Sequence, residues 1–227
     1  MATASKRITR KELRQPDWFQ VTTERALEFY EANQLKVWIG IGVLVVILIA
    51  ISGWQYFKQQ QNSAAGAAFT RAMTLFQAQN YRDAIPAFQK VEGYRWSRYA
   101  GIAYLYESNS HMALNDIDKA IATAQRFVAT TSSDSLYRQI GLIDLATAEE
   151  RKNDCKQAVE HYAEAERIGP VLKDKATLGK ARCAEQIGDT KTALATYRDY
   201  VKDYPGSYVE LRIAELEAKG QTQPAAK

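Results

Sequence analysis

The chain has 227 residues, with 30 Lys and Arg against 26 Asp and Glu, a formal net charge of +4, and only 12 glycines and 5 prolines. Near-balanced charge, with no Lys/Arg run interleaved with aromatics, argues against a nucleic-acid binder. Two cysteines and two histidines are too few for a metal cluster, and no C-x-x-C, Gly-rich phosphate loop or G-x-S-x-G is present, while abundant alanine and long straight side chains favour helix.

The first fifteen residues, MATASKRITRKELRQ, are polar and basic, so they are expected to be disordered and drawn to a lipid surface. After Pro16, DWFQVTTERALEFYEANQ reads as a helix: Asp17 can cap it, and Trp18, Phe19, Leu27, Phe29 and Tyr30 supply apolar surface. It is either a juxtamembrane interfacial helix or a docking helix for a cytoplasmic partner. Together these pieces make a tail over 1–36.

From 37 to 57 runs VWIGIGVLVVILIAISGWQYF, without a charge. At about 1.5 Å per residue, roughly 20 helical residues cross a hydrocarbon core of about 30 Å. Lys36 and Trp38 at one end, and Trp54, Tyr56 and Lys58 at the other, form the expected interfacial anchors. The long lead and long apolar run predict an uncleaved anchor rather than a signal peptide. The tail holds seven basic residues against five acidic ones. That bias favours a cytoplasmic N-terminus on a plasma (inner) membrane, with the following domain in the periplasm of a Gram-negative cell.

Beyond the span four stretches share a register: NYRDAIPAF (80–88), DIDKAIATA (116–124), DCKQAVEHY (154–162) and DTKTALATY (189–197). Their alanines, Ala84, Ala120, Ala158 and Ala193, lie 36, 38 and 35 residues apart. Four residues later stand Phe88, Ala124, Tyr162 and Tyr197; twelve residues earlier stand Ala72, Ser108, Ala146 and Ala181, small enough for close helix approach. Pro170 and Pro205 follow the last two alanines by twelve. This register resembles the tetratricopeptide repeat, a helix–turn–helix unit of 34 residues. The predicted fold is all-α: one transmembrane helix, then an α-solenoid of about four such repeats over 58–220. First helices are expected near 64–79, 97–113, 134–152 and 173–187, and second helices near 82–92, 117–130, 155–168 and 190–203. SYVELRIAELEAKG (207–220) would cap the open end, leaving a disordered tail from 221.

Cys155 opens one second helix, and Cys183 lies on the first helix of the next unit. They could form a disulfide in an oxidising compartment or remain two separate buried thiols. By register, successive first helices present Phe69, Met73, Phe76, Leu105, Asn109, Met112, Ile143, Thr147, Leu178 and Arg182 on a concave face. That face could grip an apolar or helical peptide, or the same residues could pack against neighbouring helices. The aromatic run GYRWSRYAGIAYLYE (93–107) reads mainly as core, while Trp96 and Tyr99, at the long first loop, could form a partner contact or simply cover the joint. His161 is expected on an outward helix face, and Glu149–Glu150 amid Arg151 and Lys152 on a solvated one. No arrangement suited to catalysis or a cofactor emerges.

One stretch, ERALEFYEANQLKVWIGIGVLVVILIAISGWQYFKQQQNSAAGAAFTRAM (24–73), resembles the YfgM family of ancillary bacterial translocon subunits. The resemblance rests on Phe29–Gln34, then Gly53–Trp54 with Tyr56–Phe57, then the small-residue run Ala64–Ala72, ahead of divergent repeats. It implies a periplasm-facing protein-interaction module associated with the SecYEG translocon and with a membrane-anchored chaperone of the prolyl isomerase type, receiving newly translocated proteins. The alternative is a repeat scaffold or assembly factor for another envelope or membrane complex.

Overall fold

Helix follows helix along the whole of the computed structural model, which describes residues 18–222. The basic segment 1–15, the Asp17 cap, the side chains of Trp18 and Phe19, and the tail from 223 lie outside the described residues. The described elements are α1 (Trp18–Ala32), α2 (Gln34–Gln77), α3 (Tyr81–Glu92), α4 (Arg98–Ala113), α5 (Ile117–Ala129), α6 (Leu136–Arg151), α7 (Cys155–Ile168), α8 (Lys173–Gln186), α9 (Thr190–Asp203) and α10 (Val209–Thr222). The chain divides into two units, Met1–Phe57 and Lys58–Lys227.

In the first unit, α1 ends at a turn on Asn33, whose side-chain amide donates to Phe29 O at 3.2 Å and whose Oδ1 accepts from Lys36 Nζ at 3.1 Å. The run that follows has a mean hydropathy of 2.6, and none of it is buried in the protein. Trp38 and Trp54 are exposed with it. A helix apolar on every side and covered by nothing has the character of a membrane span. Among the described residues α2 is the single helix long and apolar enough for one.

The second unit is a stack of helix pairs. Its first element is the end of α2 rather than a separate helix near 64–79. KQQQNS (58–63) holds no proline or glycine, and its Lys and Gln are good helix formers, so nothing there stops the helix. α10 likewise runs to Thr222, two residues past the expected boundary.

Each pair closes through the same turn. Gln79, Asn115, Asn153 and Gly188, each five residues before the shared alanine, adopt φ of 59°, 62°, 65° and 82°. This is the left-handed region, which Asn and Gly tolerate best. The second helices then start after Asn80, Asp116, Asp154 and Asp189; the Asp189 carboxylate accepts from Thr192 N at 3.0 Å.

The four shared alanines and three of the four small positions are wholly buried. The fourth, Ser108, satisfies its hydroxyl on Ala120 O at 2.8 Å. Around them Phe88, Tyr162 and Tyr197 fill the joints between pairs, each fully buried ring contributing about 1.5–3 kcal/mol. Glycines let rings in elsewhere. A Cβ on Gly141 would lie 2.7 Å from the Phe127 ring, and one on Gly179 would lie 2.3 Å from the Tyr162 ring. Val209 and Leu216 seat α10 on α8 and α9.

Candidate binding face

The register selects equivalent residues of α2, α4, α6 and α8 in the second unit, and the character of their surroundings changes along its length. At the α2 end it is aromatic. Phe69, Met73 and Phe76 are half-buried and pack against the cluster of Ala65, Ala72 and Phe88. Tyr106, which the repeat pattern did not single out, is the hub of that cluster. Its ring lies 5.7 Å from Phe69, 5.4 Å from Phe76 and 5.6 Å from Phe88, the last pair stacked at 17°.

Leu105, Asn109 and Met112 follow on α4, each half-buried. Asn109 hydrogen-bonds Asp144 of α6, whose carboxyl is pushed up to about 6, chiefly by burial. Ile143 packs into the adjoining cores.

At the α8 end the face is polar and repeats a motif. Thr147 Oγ1 lies 3.1 Å from Tyr162 Oη, which donates to Glu150 Oε2 at 2.9 Å. Arg182 of the next pair donates twice to Glu150, at 3.0 and 2.9 Å. One unit on, Tyr197 Oη donates to Glu185 at 3.3 Å, and Arg212 of α10 donates to the same carboxylate through both Nε, at 3.0 Å, and Nη2. Glu150 and Glu185 each stand eight residues before a shared alanine, so the acids occupy equivalent slots. Burial pushes both phenols up to about 12, and the carboxylates hold both guanidiniums above their usual range.

Leu178 and Arg182 line a cavity of about 430 Å³ with Glu185, Tyr197, Tyr208 and Leu211. Tyr208 and Leu211 are 75% and 67% exposed there. Of the ten residues the register selects, Thr147 and Arg182 join the polar ladder and Leu178 the cavity. The Phe69–Met73–Phe76 trio belongs to the separate aromatic end.

The two cysteines sit in the buried core at the joint between α7 and α8. Their sulfurs are bonded, with Cα atoms 4.9 Å apart. One other polar group differs from the sequence expectation. Glu149 is 1% exposed rather than solvated, and its Oε2 meets Nδ1 of the partly exposed His161 at 2.7 Å, because α6 and α7 pack these positions together. That bond raises the His161 pKa. In the N-terminal half Glu92 pairs with the buried Glu107, and burial followed by that bond pushes it up to about 8. Gln89 donates to Glu107 at 2.7 Å, and His111, also buried, lies 3.6 Å from it. Among the described residues no three His, Cys, Asp or Glu side chains converge as a metal would require.

Residues 28–168 match the family model of a tetratricopeptide repeat-like domain, and residues 143–208 match a tetratricopeptide repeat model. The ancillary SecYEG translocon subunit of Escherichia coli (strain K12) is 28% identical over 122 residues, which are 52% of this chain. The chain thus spans 57% of the length of that curated relative. The crystal structure of MamA superposes with a TM-score of 0.57 at 16% identity, over 66% of this chain and 84% of that one. A Podosopora anserina protein of nearly identical TPR-like repeats gives 0.57 at 16% identity, over 71% of this chain and 90% of its own. Both likenesses show the all-helical solenoid.

Proposed function

The chain belongs to the tetratricopeptide repeat-like domain family, and on that footing we propose that it is a membrane-anchored, non-catalytic interaction module serving as an accessory of the Sec translocon. α2 anchors it by a single span, and its repeats lie on the periplasmic side. There, beside a membrane-anchored prolyl-isomerase-type chaperone, they receive newly translocated chains. The observation that carries this reading is the match to a protein named as an ancillary SecYEG translocon subunit. The bond between Cys155 and Cys183 supports the periplasmic side, since structural disulfides persist in oxidising compartments. The binding face offers a client two surfaces: aromatic at Phe69, Phe76 and Tyr106, and charged at Arg182, Glu185 and Arg212.

Affinity purification from the native membrane in mild detergent, with mass spectrometry and a mock control, tests it. Recovery of translocon subunits together with a periplasmic chaperone is expected. Enrichment of a different envelope complex in their place would overturn the translocon assignment and leave a scaffold for that complex.

A further inference from the structure

A cavity of about 440 Å³ opens where α4 and α5 meet the start of α6, and none of the ten residues that the repeat register selects lines it. Its volume falls within the roughly 300–1,000 Å³ usual for ligand pockets. The walls are apolar: Gly101 and Ile102 of α4 with Phe127 of α5, which is 2% exposed. A Cβ on Gly101 would stand 3.2 Å from Thr130 Oγ1, so the glycine keeps this wall bare while the turn after α5 closes on α4.

The rim is polar, and its hydrogen-bonding capacity is one-sided. Thr130 and Thr131 donate their hydroxyl protons to Phe127 O and Val128 O, both at 2.7 Å. Ser135 Oγ donates to Ser132 O at 2.9 Å and accepts from Arg138 N at 3.1 Å. With each proton engaged inside the turn, these oxygens have only lone pairs left to offer, which suits N–H donors on an occupant. Arg98 is the one cation on the rim. Its Cζ lies 5.2 Å from the centre of the Tyr99 ring, and its Nη2 reaches Tyr99 Oη at 3.4 Å. Among the described residues it meets no carboxylate, and no Asp or Glu lines the cavity. Asp134, in the same turn, is exposed and lies outside the lining.

Three demands meet in one site: an apolar group against Ile102 and Phe127, N–H donors for the Thr130 and Thr131 oxygens, and a carboxylate for Arg98. An extended polypeptide with an apolar side chain next to Asp or Glu meets all three. A fatty acyl chain with an acidic head meets the first and last but brings no N–H donors. We propose that this cavity is a second polypeptide-binding site, taking an extended segment in which an apolar residue adjoins an acidic one. The proposal rests on the reading of the repeats as a polypeptide-interaction module, but not on any translocon partner.

The experiment uses the full chain in phosphatidylcholine nanodiscs, which keep detergent out of the cavity. The probe is a fluorescent, terminally blocked peptide, all glycine except for a leucine followed by an aspartate; a twin carries asparagine instead. Anisotropy, competed by unlabelled peptide, reads the affinities. The parent chain should bind the aspartate peptide about two- to fivefold more tightly than its twin, the range of an exposed ion pair. In an Arg98→Gln chain the two should bind alike. Ser132→Trp, a change at an exposed position on the rim, should weaken both, with an unchanged urea midpoint showing the fold intact. Equal affinity for the twins in the parent chain, or a difference that survives Arg98→Gln, would overturn the carboxylate contact and the proposal with it. Undiminished binding by the Ser132→Trp chain would overturn this site and leave the interaction module standing on another face. Binding of neither peptide would overturn the site as well, while recovery of partners from the native membrane would still decide the module. Laurate held in an Arg98-dependent way by a chain that binds neither peptide would assign the cavity to an amphiphile instead.

Discussion

Replacing Gly179 with alanine adds one methyl group, and the structure gives it nowhere to go. The new Cβ would lie 2.3, 2.4 and 2.7 Å from Cζ, Cε1 and Cε2 of Tyr162. That ring is 1% exposed, and its hydroxyl is held by Glu150 and Thr147. The ring must therefore shift by about 1 Å, to reach ordinary carbon contact at roughly 3.5 Å. Overpacking of this kind costs about 1–3 kcal/mol. Loosening the phenol's bond to a carboxylate adds about 1.5 kcal/mol, and alanine's better helix propensity returns about 1. The net loss is about 1.5–3.5 kcal/mol, or roughly 3–14 °C in the Tm of a unit this size. Urea unfolding of the full chain in mild detergent, followed by circular dichroism, reads it. Gly66→Ala is the comparator: its nearest contact, Tyr99 Cε2, is 3.3 Å away on a half-buried ring, so little change is expected. In a Tyr162→Ala background the Gly179 substitution should become neutral or slightly stabilising. A Gly179→Ala chain as stable as the parent would refute the packing argument, because propensity alone would then be deciding.

Reducing the chain, or replacing Cys155 and Cys183 by serine, releases a loop of 28 residues, for which the chain-entropy model gives about 3–4 kcal/mol; the urea midpoint should fall accordingly, and an unchanged midpoint would count against the crosslink. His161→Ala leaves the carboxylate of Glu149, 1% exposed, without its imidazole partner, and losing a hydrogen bond to a charged group costs about 1.5–3 kcal/mol; His161→Gln, which keeps a donor, should recover part of it. Stability should fall with rising pH. Glu92 titrates near 8 when folded but near 4.5 when unfolded, so the folded state holds an extra proton between those values, and its contribution, complete below 4.5, is lost as pH climbs through 8. Asp144, pushed up to about 6, acts in the same sense at lower pH. Glu92→Gln should flatten the upper part of a Tm–pH profile, and an identical slope in the variant would reassign the effect.

The repeat architecture could be read from spacing because packing enforces it. A helix pair closes only where an alanine meets a small residue twelve positions earlier, and every unit must repeat that contact. The continuity of α2 was less legible, since the sequence marks a change of solvent at Phe57 but no change of backbone. The polar ladder was half legible. Glu150 with Tyr162 and Glu185 with Tyr197 share one spacing, but their arginines come from the next helix pair, across turns of unequal length. Arg182 follows Glu150 by 32 residues and Arg212 follows Glu185 by 27, so no fixed interval announces them. Charge alone misled at Glu149, where the flanking Arg151 and Lys152 are exposed but the carboxylate turns inward to His161.

Trp96 and Tyr99 share one loop in the sequence and the same two readings, a partner contact or cover for the joint, because hydropathy cannot separate two aromatic rings three residues apart. The structure separates them: the Tyr99 ring packs 5.5 Å from Phe69 in the aromatic cluster, while Trp96 stays 55% exposed in the turn before α4.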